Sequence, residues 1–257
     1  MKVRADLHAH LGKLRDSYDF NRIIDKAREN LGPGGVLGVT CFDDNRYKSL
    51  ANSPGYKREK IGNGFYVPDK NILVVKNQEV FSEHGHLLSI GLPEDKNIKS
   101  KKLKDIISEA EDLGVGLVAV HLFAGWSLGN FLIRNPGYLQ NLIGIEIHNG
   151  EAVYTNKKAK DFFEMIKEDY KIGGISNSDG HYLFEIGSSN SLIEEPVYTD
   201  SEKLSATLNK AIRAHKDYSK DVMHSSFLGG VLHAESWGRR IILRRLGFNI
   251  KMAYAPE

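Results

Sequence analysis

The chain has 257 residues, 41% hydrophobic and 26% charged, which is enough apolar material for one large α/β domain or two small ones. A net charge of +2 gives no compositional argument for a nucleic-acid or membrane partner. The single cysteine, Cys41, excludes an intrachain disulfide and a cysteine-based zinc knuckle.

The opening MKVRADLHAH enters a strand-like pattern directly, without a signal-like or membrane-spanning apolar run, so a cytoplasmic protein is expected. Apolar runs predict strands over residues 3–8, 35–41, 72–80, 86–90, 116–121, 142–147 and 171–176. Helical periodicity falls between many of them, over 20–30, 101–113 and 159–170. In the second helix Leu103, Ile106, Ile107 and Ala110 share a face, and in the third Phe162, Phe163 and Ile166 do so. Alternation of this kind predicts a parallel sheet, either a closed or nearly closed (β/α) barrel or an open doubly wound sheet. No glycine-rich phosphate loop follows any strand. Residues 43–69 are polar and read as a long loop over one end of the sheet. Residues 201–251 read as two or three amphipathic helices. The expected organisation is a single domain, with a barrel core over about 1–200 and a helical extension over about 201–257.

Histidines gather at the ends of the predicted strands. His8, His10, His86, His121 and His148 stand there, and His181 follows the last strand in SNSDGH. In a strand, residues i and i+2 face the same side, so His8 and His10 can present two imidazoles to one ion. Asp6, Asp16, Glu79, Glu146 and Asp179 sit in comparable places. The carboxyl ends of barrel strands converge on one face, where such residues would meet. A mixed imidazole–carboxylate shell suits zinc, iron or manganese. Glu79 lies in an otherwise apolar strand, where a carboxylate needs a metal or an ion pair, and Lys76 is the candidate for the pair.

These residues also carry a resemblance. ADLHAH resembles the opening motif of the PHP (polymerase and histidinol phosphatase) superfamily, and NQEVFSEHGHLLSIG resembles its second block. VAVH, GIEIHNG and ISNSDGHYLFEIGSSNS resemble later blocks, in the right order, from residue 5 to about 195. The resemblance implies a distorted seven-stranded, TIM-like (β/α) barrel with a centre of two or three divalent metal ions. It implies His8, His10, Glu79, His86, His121, Asp179 and His181 as ligands, with Glu79 bridging two ions. Asp16 stands near a further acidic position of the family. Many members carry T-D-H after the second strand, but here the string is TCFDD, with Phe42 in place of the histidine. Asp43 or Asp44 could substitute, or the third ion could be absent.

The expected reaction is phosphoester hydrolysis by metal-activated hydroxide. Asp16 and His148 are candidates for catalytic roles, and His84 and His148 for proton transfer or support of the ligands. The expected partner is a small phosphorylated substrate or a nucleotide, with nucleic acid and membrane not indicated. Lys13, Arg15, Arg46, Lys48, Lys57 and Arg58 are candidate phosphate contacts, each with a solvated surface charge as the alternative. Arg239, Arg240, Arg244 and Arg245 lie on an apolar, helix-like segment that reads as a packing helix more readily than as a nucleic-acid contact. Two other functions fit parts of the pattern. Amidohydrolases also open with His-X-His but commonly add a metal-bridging lysine, and a regulatory module could retain a structural metal site.

Overall fold

A computed structural model describes residues 1–11, 19–152, 154–196 and 204–226, together with Leu228 and Val231. Ten strands are described: β1 (Lys2–Ala9), β2 (Gly35–Cys41), β3 (Glu59–Ile61), β4 (Gly64–Val67), β5 (Ile72–Ser82), β6 (Gly85–Ile90), β7 (Gly116–Ala119), β8 (Gly144–Asn149), β9 (Gly173–Asn177) and β10 (Ser191–Glu194). The helices are α1 (Phe20–Leu31), α2 (Arg46–Ala51), α3 (Leu103–Asp112), α4 (Gly129–Arg134), α5 (Asn156–Ile166) and α6 (Leu204–Ala214). None is long and apolar enough to cross a membrane.

All seven predicted strands form. Eight strands, in the order β10-β1-β2-β5-β6-β7-β8-β9, curl into a nearly closed, TIM-like barrel. The additional strand, β10, has only four residues and pairs antiparallel with β1. The segment over 43–69 is not one loop but contains α2 and the β3–β4 ribbon, and β4 pairs antiparallel with the first part of β5, Ile72 to Val75, before β6 takes over its later part. The sheet is mixed rather than parallel. β1, β2 and β5 run parallel, as do β7, β8 and β9, whereas β6 is antiparallel to both β5 and β7. Only Glu83 and His84 separate β5 from β6, and a parallel crossover needs a dozen residues or more. This reversal starts β6 at the end of the barrel where β5 finishes, which brings His86 beside Glu79.

Side chains close the seam between β9 and β1. Asn177 Oδ1 accepts from Leu7 N at 2.8 Å, and Ser191 Oγ, on β10, accepts from Ser176 N at 2.6 Å. The opposite end is plugged by α6, whose Leu204, Leu208, Ala211 and Ile212 join an interior cluster with Leu88, Ile90, Val118 and Ile175. The plug fits because β9 begins with glycine. A Cβ on Gly173 would lie 1.7 Å from the Ile212 carbonyl oxygen.

Two β-bulges decide which side chains face inward. Asp6 and Ala9 of β1 pair with Leu37 and Val39 of β2, so β1 carries one extra residue. Leu37 and Val39 both pack outward, in the cluster with α1. The bulge therefore leaves Asp6 and Ala9 on that outer side and turns His8 and His10 inward. In β8, Glu146 pairs with Ile175 and His148 with the very next residue, Ser176. Ile175 faces the interior cluster, whereas the Ser176 hydroxyl donates to Asp221 outside it. Glu146 thus faces inward and His148 outward.

Gly173→Ala should lower stability by about 1–3 kcal/mol, the usual penalty for overpacking. Gly137→Ala, where no atom lies within 4 Å of the new methyl, should change it little. Urea denaturation of both variants checks the difference.

Candidate metal centre

Two groups of three ligating side chains stand at the carboxyl end of the barrel. One is His8, His10 and Asp179, and the other Glu79, His86 and His121; within each, one ligand atom per residue lies within 4.8 Å of the rest. His8 and His10 come from the bulged end of β1, Glu79 from β5, His86 from the start of β6, and His121 and Asp179 from just beyond β7 and β9. His8 Nε2 and His10 Nε2 are 3.1 Å apart, and Asp179 Oδ1 lies 3.4 and 3.5 Å from them. Glu79 spans the two groups. Its Oε2 is 3.1 Å from His10 Nε2, while its Oε1 is 2.7 Å from His86 Nδ1 and 2.9 Å from His121 Nε2. Lys76, three residues earlier, is turned away, its ammonium donating to the carbonyls of Pro93, Glu94 and Lys96 and to Asn97 Oδ1. It is no partner for Glu79.

Glu146 supports both groups without belonging to either. Its Oε1 lies 3.1 Å from His8 Nδ1 and accepts from Asn177 Nδ2, and its Oε2 accepts from the His121 backbone N–H and Asn149 Nδ2. With Nδ1–H held by this carboxylate, His8 turns its Nε2 toward the centre, where that nitrogen would bind an ion once its own proton is displaced. Asn149 Nδ2 also donates to Asp179 Oδ2 at 3.0 Å, so one amide fixes two carboxylates. His121 and Asp179 both have positive φ, 32° and 52°, conformations that non-glycine residues adopt when surrounding contacts hold them there.

His181 adjoins the first group but is in neither. Its ring stacks on His10 with centroids 4.8 Å apart, and its Nδ1 lies 2.8 Å from the Asp179 carbonyl and 3.0 Å from Glu151 Oε1. Glu151 escapes sequence reasoning because it lies in a loop, outside any strand pattern. Phe42 also stacks on His10, with centroids 4.5 Å apart, and Phe81 meets the His86 ring edge-on at 4.3 Å. His148 is not brought to the centre. Its Nε2 lies 3.3 Å from the His224 carbonyl and its Nδ1 3.2 Å from Asn156 Nδ2. His84 stacks on Phe131 at 3.9 Å. Arg46 forks onto Asp44, Lys57 pairs with Glu59, and Arg58 lies over Phe20 while bonding the Ala51 and Ser53 carbonyls. These three cations thus have structural partners. Lys13, Arg15, Asp16 and the arginines between 239 and 245 lie outside the described residues.

The electrostatics of the centre call for positive charge. Burial disfavours a charged His8, yet the Asp179 and Glu146 carboxylates overcome it and push its pKa up to about 10. Burial also works against ionising Glu79, but hydrogen bonds from His10, His121 and His86 hold its carboxyl well below the usual range. Burial dominates at His10, which is held well below the ordinary imidazole value. An ion entering at His8 therefore displaces a proton throughout the neutral range. Divalent-metal affinity should rise roughly tenfold per pH unit between pH 6 and 8, with about one proton released per ion. Isothermal titration calorimetry in buffers of different ionisation enthalpy measures both quantities.

No protein-family model and no curated protein matches this sequence. Solved structures do resemble it. PsfC from Pseudomonas syringae PB-5123 superimposes with a TM-score of 0.59 at 14% identity, over 94% of this chain and 99% of that one. A two-domain protein from Bacteroides vulgatus ATCC 8482, containing a predicted PHP-like metal-dependent phosphoesterase, superimposes with a TM-score of 0.52 at 18% identity. That match spans 82% of this chain and 64% of the other. The chain thus has the fold of a structure containing a PHP-like domain, and its own histidines and carboxylates form two groups that fit divalent ions.

Proposed function

We propose that this chain is a metal-dependent phosphoesterase with two divalent ions, one held by His8, His10 and Asp179 and the other by His86 and His121, with Glu79 shared between them. The position of Glu79 carries the reading, since its two oxygens address separate histidine groups at 2.7–3.1 Å. The mixture of nitrogen and oxygen donors suits zinc, manganese or iron. Ions held there would supply a water acidic enough to ionise near neutral pH and positive charge for phosphate oxygens. Phosphoester chemistry is favoured over amide chemistry by the PHP-like description of the Bacteroides vulgatus protein and by Lys76, which faces away from the centre. Two ions are favoured over three because Phe42, packed against His10, has no ligand atom.

The chain's own residues shape the reaction space. Glu146 holds the tautomer of His8, and Asn149 fixes the Glu146 and Asp179 carboxylates. Phe42 and Phe81 stack on each other at 5.7 Å and present apolar surface beside His10 and His86.

Elemental analysis of the manganese- or zinc-loaded protein should give two ions per chain. A panel of phosphomonoesters and phosphodiesters should show turnover, and an amide and lactone panel should not. The double variant His8→Ala/His10→Ala should lose at least one ion and phosphoester hydrolysis. Unchanged metal content and activity in that variant would refute the assignment. Glu146→Gln should weaken metal binding about 10–100-fold while leaving the fold intact.

A further inference from the structure

The described residues expose three large aromatic side chains: Trp126 at 57%, Tyr154 at 92% and Phe184 at 45%. All three lie in loops that leave the barrel at the end bearing the histidines and carboxylates. Trp126 follows β7, five residues after His121; Tyr154 follows β8, three after Glu151; Phe184 follows β9, three after His181. Two of these loops are firmly held. Ser127 Oγ and Gly129 N both donate to the Leu122 carbonyl, and Ala124 N donates to that of His121. The same loop abuts the β5–β6 turn, where a Cβ on Gly85 would lie 2.4 Å from Leu128 N. Phe184 sits in a short 3-10 turn, Leu183–Glu185, anchored by Glu185 Oε2, which accepts from His181 N and Tyr182 N. Its ring lies nearly parallel to that of Tyr182, at 12° and 5.7 Å.

Among the described residues, the aromatic rings left most exposed all sit on loops at the end of the barrel that carries the candidate ligands, where binding residues are commonly placed. Phe184 keeps one contact, with Tyr182, and still leaves 45% of its surface to solvent. We infer that Trp126, Tyr154 and Phe184 form a rim that binds a planar aromatic group of the substrate by stacking, beside the phosphoester that the centre would hold. The substrate class is then a phosphate ester bearing an aromatic ring, either a nucleobase or a simple aryl group. The inference rests on the phosphoesterase reading and narrows it. Stacking on a protein aromatic ring contributes about 1–3 kcal/mol per base by alanine substitution, which is roughly a 5- to 150-fold change in affinity.

Two experiments separate this inference from the reading beneath it. The first needs no turnover: calorimetric titration of the manganese-loaded protein with phenylphosphonate and with methylphosphonate, which carry the same phosphonate head. Phenylphosphonate should bind at least about fivefold more tightly, and the double variant Trp126→Ala/Phe184→Ala should abolish that advantage without changing methylphosphonate binding. Equal affinity of the two phosphonates for the wild type would overturn the rim, as would an advantage that survives in the variant. The second compares KM and kcat for adenosine 5′-monophosphate, phenyl phosphate and glycerol phosphate. The variant should raise KM for the aromatic esters alone, and whichever of the two has the lower wild-type KM identifies the ring. Absence of turnover for all three, with the phenylphosphonate preference intact, would defeat the phosphoesterase reading but not the rim. Conversion of a wild-type dimer to a monomer by the variant would make these rings a subunit interface and overturn the proposal.

Discussion

The carboxyl end of the barrel is organised by the need to bury negative charge. Asp6, Glu79, Glu146 and Asp179 are each less than a tenth exposed, and an uncompensated carboxylate in such surroundings is costly. Asp6 is compensated by neutral donors alone, the Ser178 backbone and hydroxyl, Gly187 N and His8 N, and burial still raises its pKa to about 6. The other three meet imidazoles instead. Their combined demand for positive charge is why His8 holds its proton so firmly, and why a divalent ion suits the same space. Asn149 and Asn177 extend the network, so the supports of the centre are also the clasps of the barrel.

Chain geometry delivers these groups to one place by two departures from regular β-structure. A bulge in β1 reverses the alternation after Asp6, so the aspartate faces the outer layer while His8 and His10 face inward. The two-residue reversal between β5 and β6 lets a strand running the wrong way for a parallel barrel still contribute its first histidine to the carboxyl end. Positive φ at His121 and Asp179 adds local strain at two of the same positions. The scaffold beneath needs no such devices. β2 and β7 are buried along their whole length, and α6 closes the far end with Ile212 packed against Gly144 and Gly173.

Much of the scaffold was legible in sequence because it depends on local pattern. Strand positions followed from apolar runs, α1 from helical periodicity over 20–30, and α3 and α5 from the shared faces of Ile106 and Ile107 and of Phe162 and Phe163. β10 and the β3–β4 ribbon were not legible, since strands of three or four residues carry too little pattern to stand out from turns. His148 was expected near the centre from its place at a strand end, but the bulge in β8 turns its ring outward, toward the His224 carbonyl. The alternation suggested a parallel sheet throughout, and the two-residue reversal at Glu83 and His84, too short for a parallel crossover, makes β6 the exception.

The sequence by itself determined which residue types were available for metal chemistry, the His8–His10 spacing, and the strand that buries Glu79, because these depend on neighbours in the chain. Only the tertiary structure decided how they combine. It divided the candidate ligands into two groups that meet at Glu79, made Glu146 a support of His8 and His121, and gave His181 the unforeseen partner Glu151. It also turned Lys76 and His148 outward. The physical reason is that direction and distance between strands are set by bulges, turns and closure of the barrel, and none of these leaves a strong signature in the order of side chains.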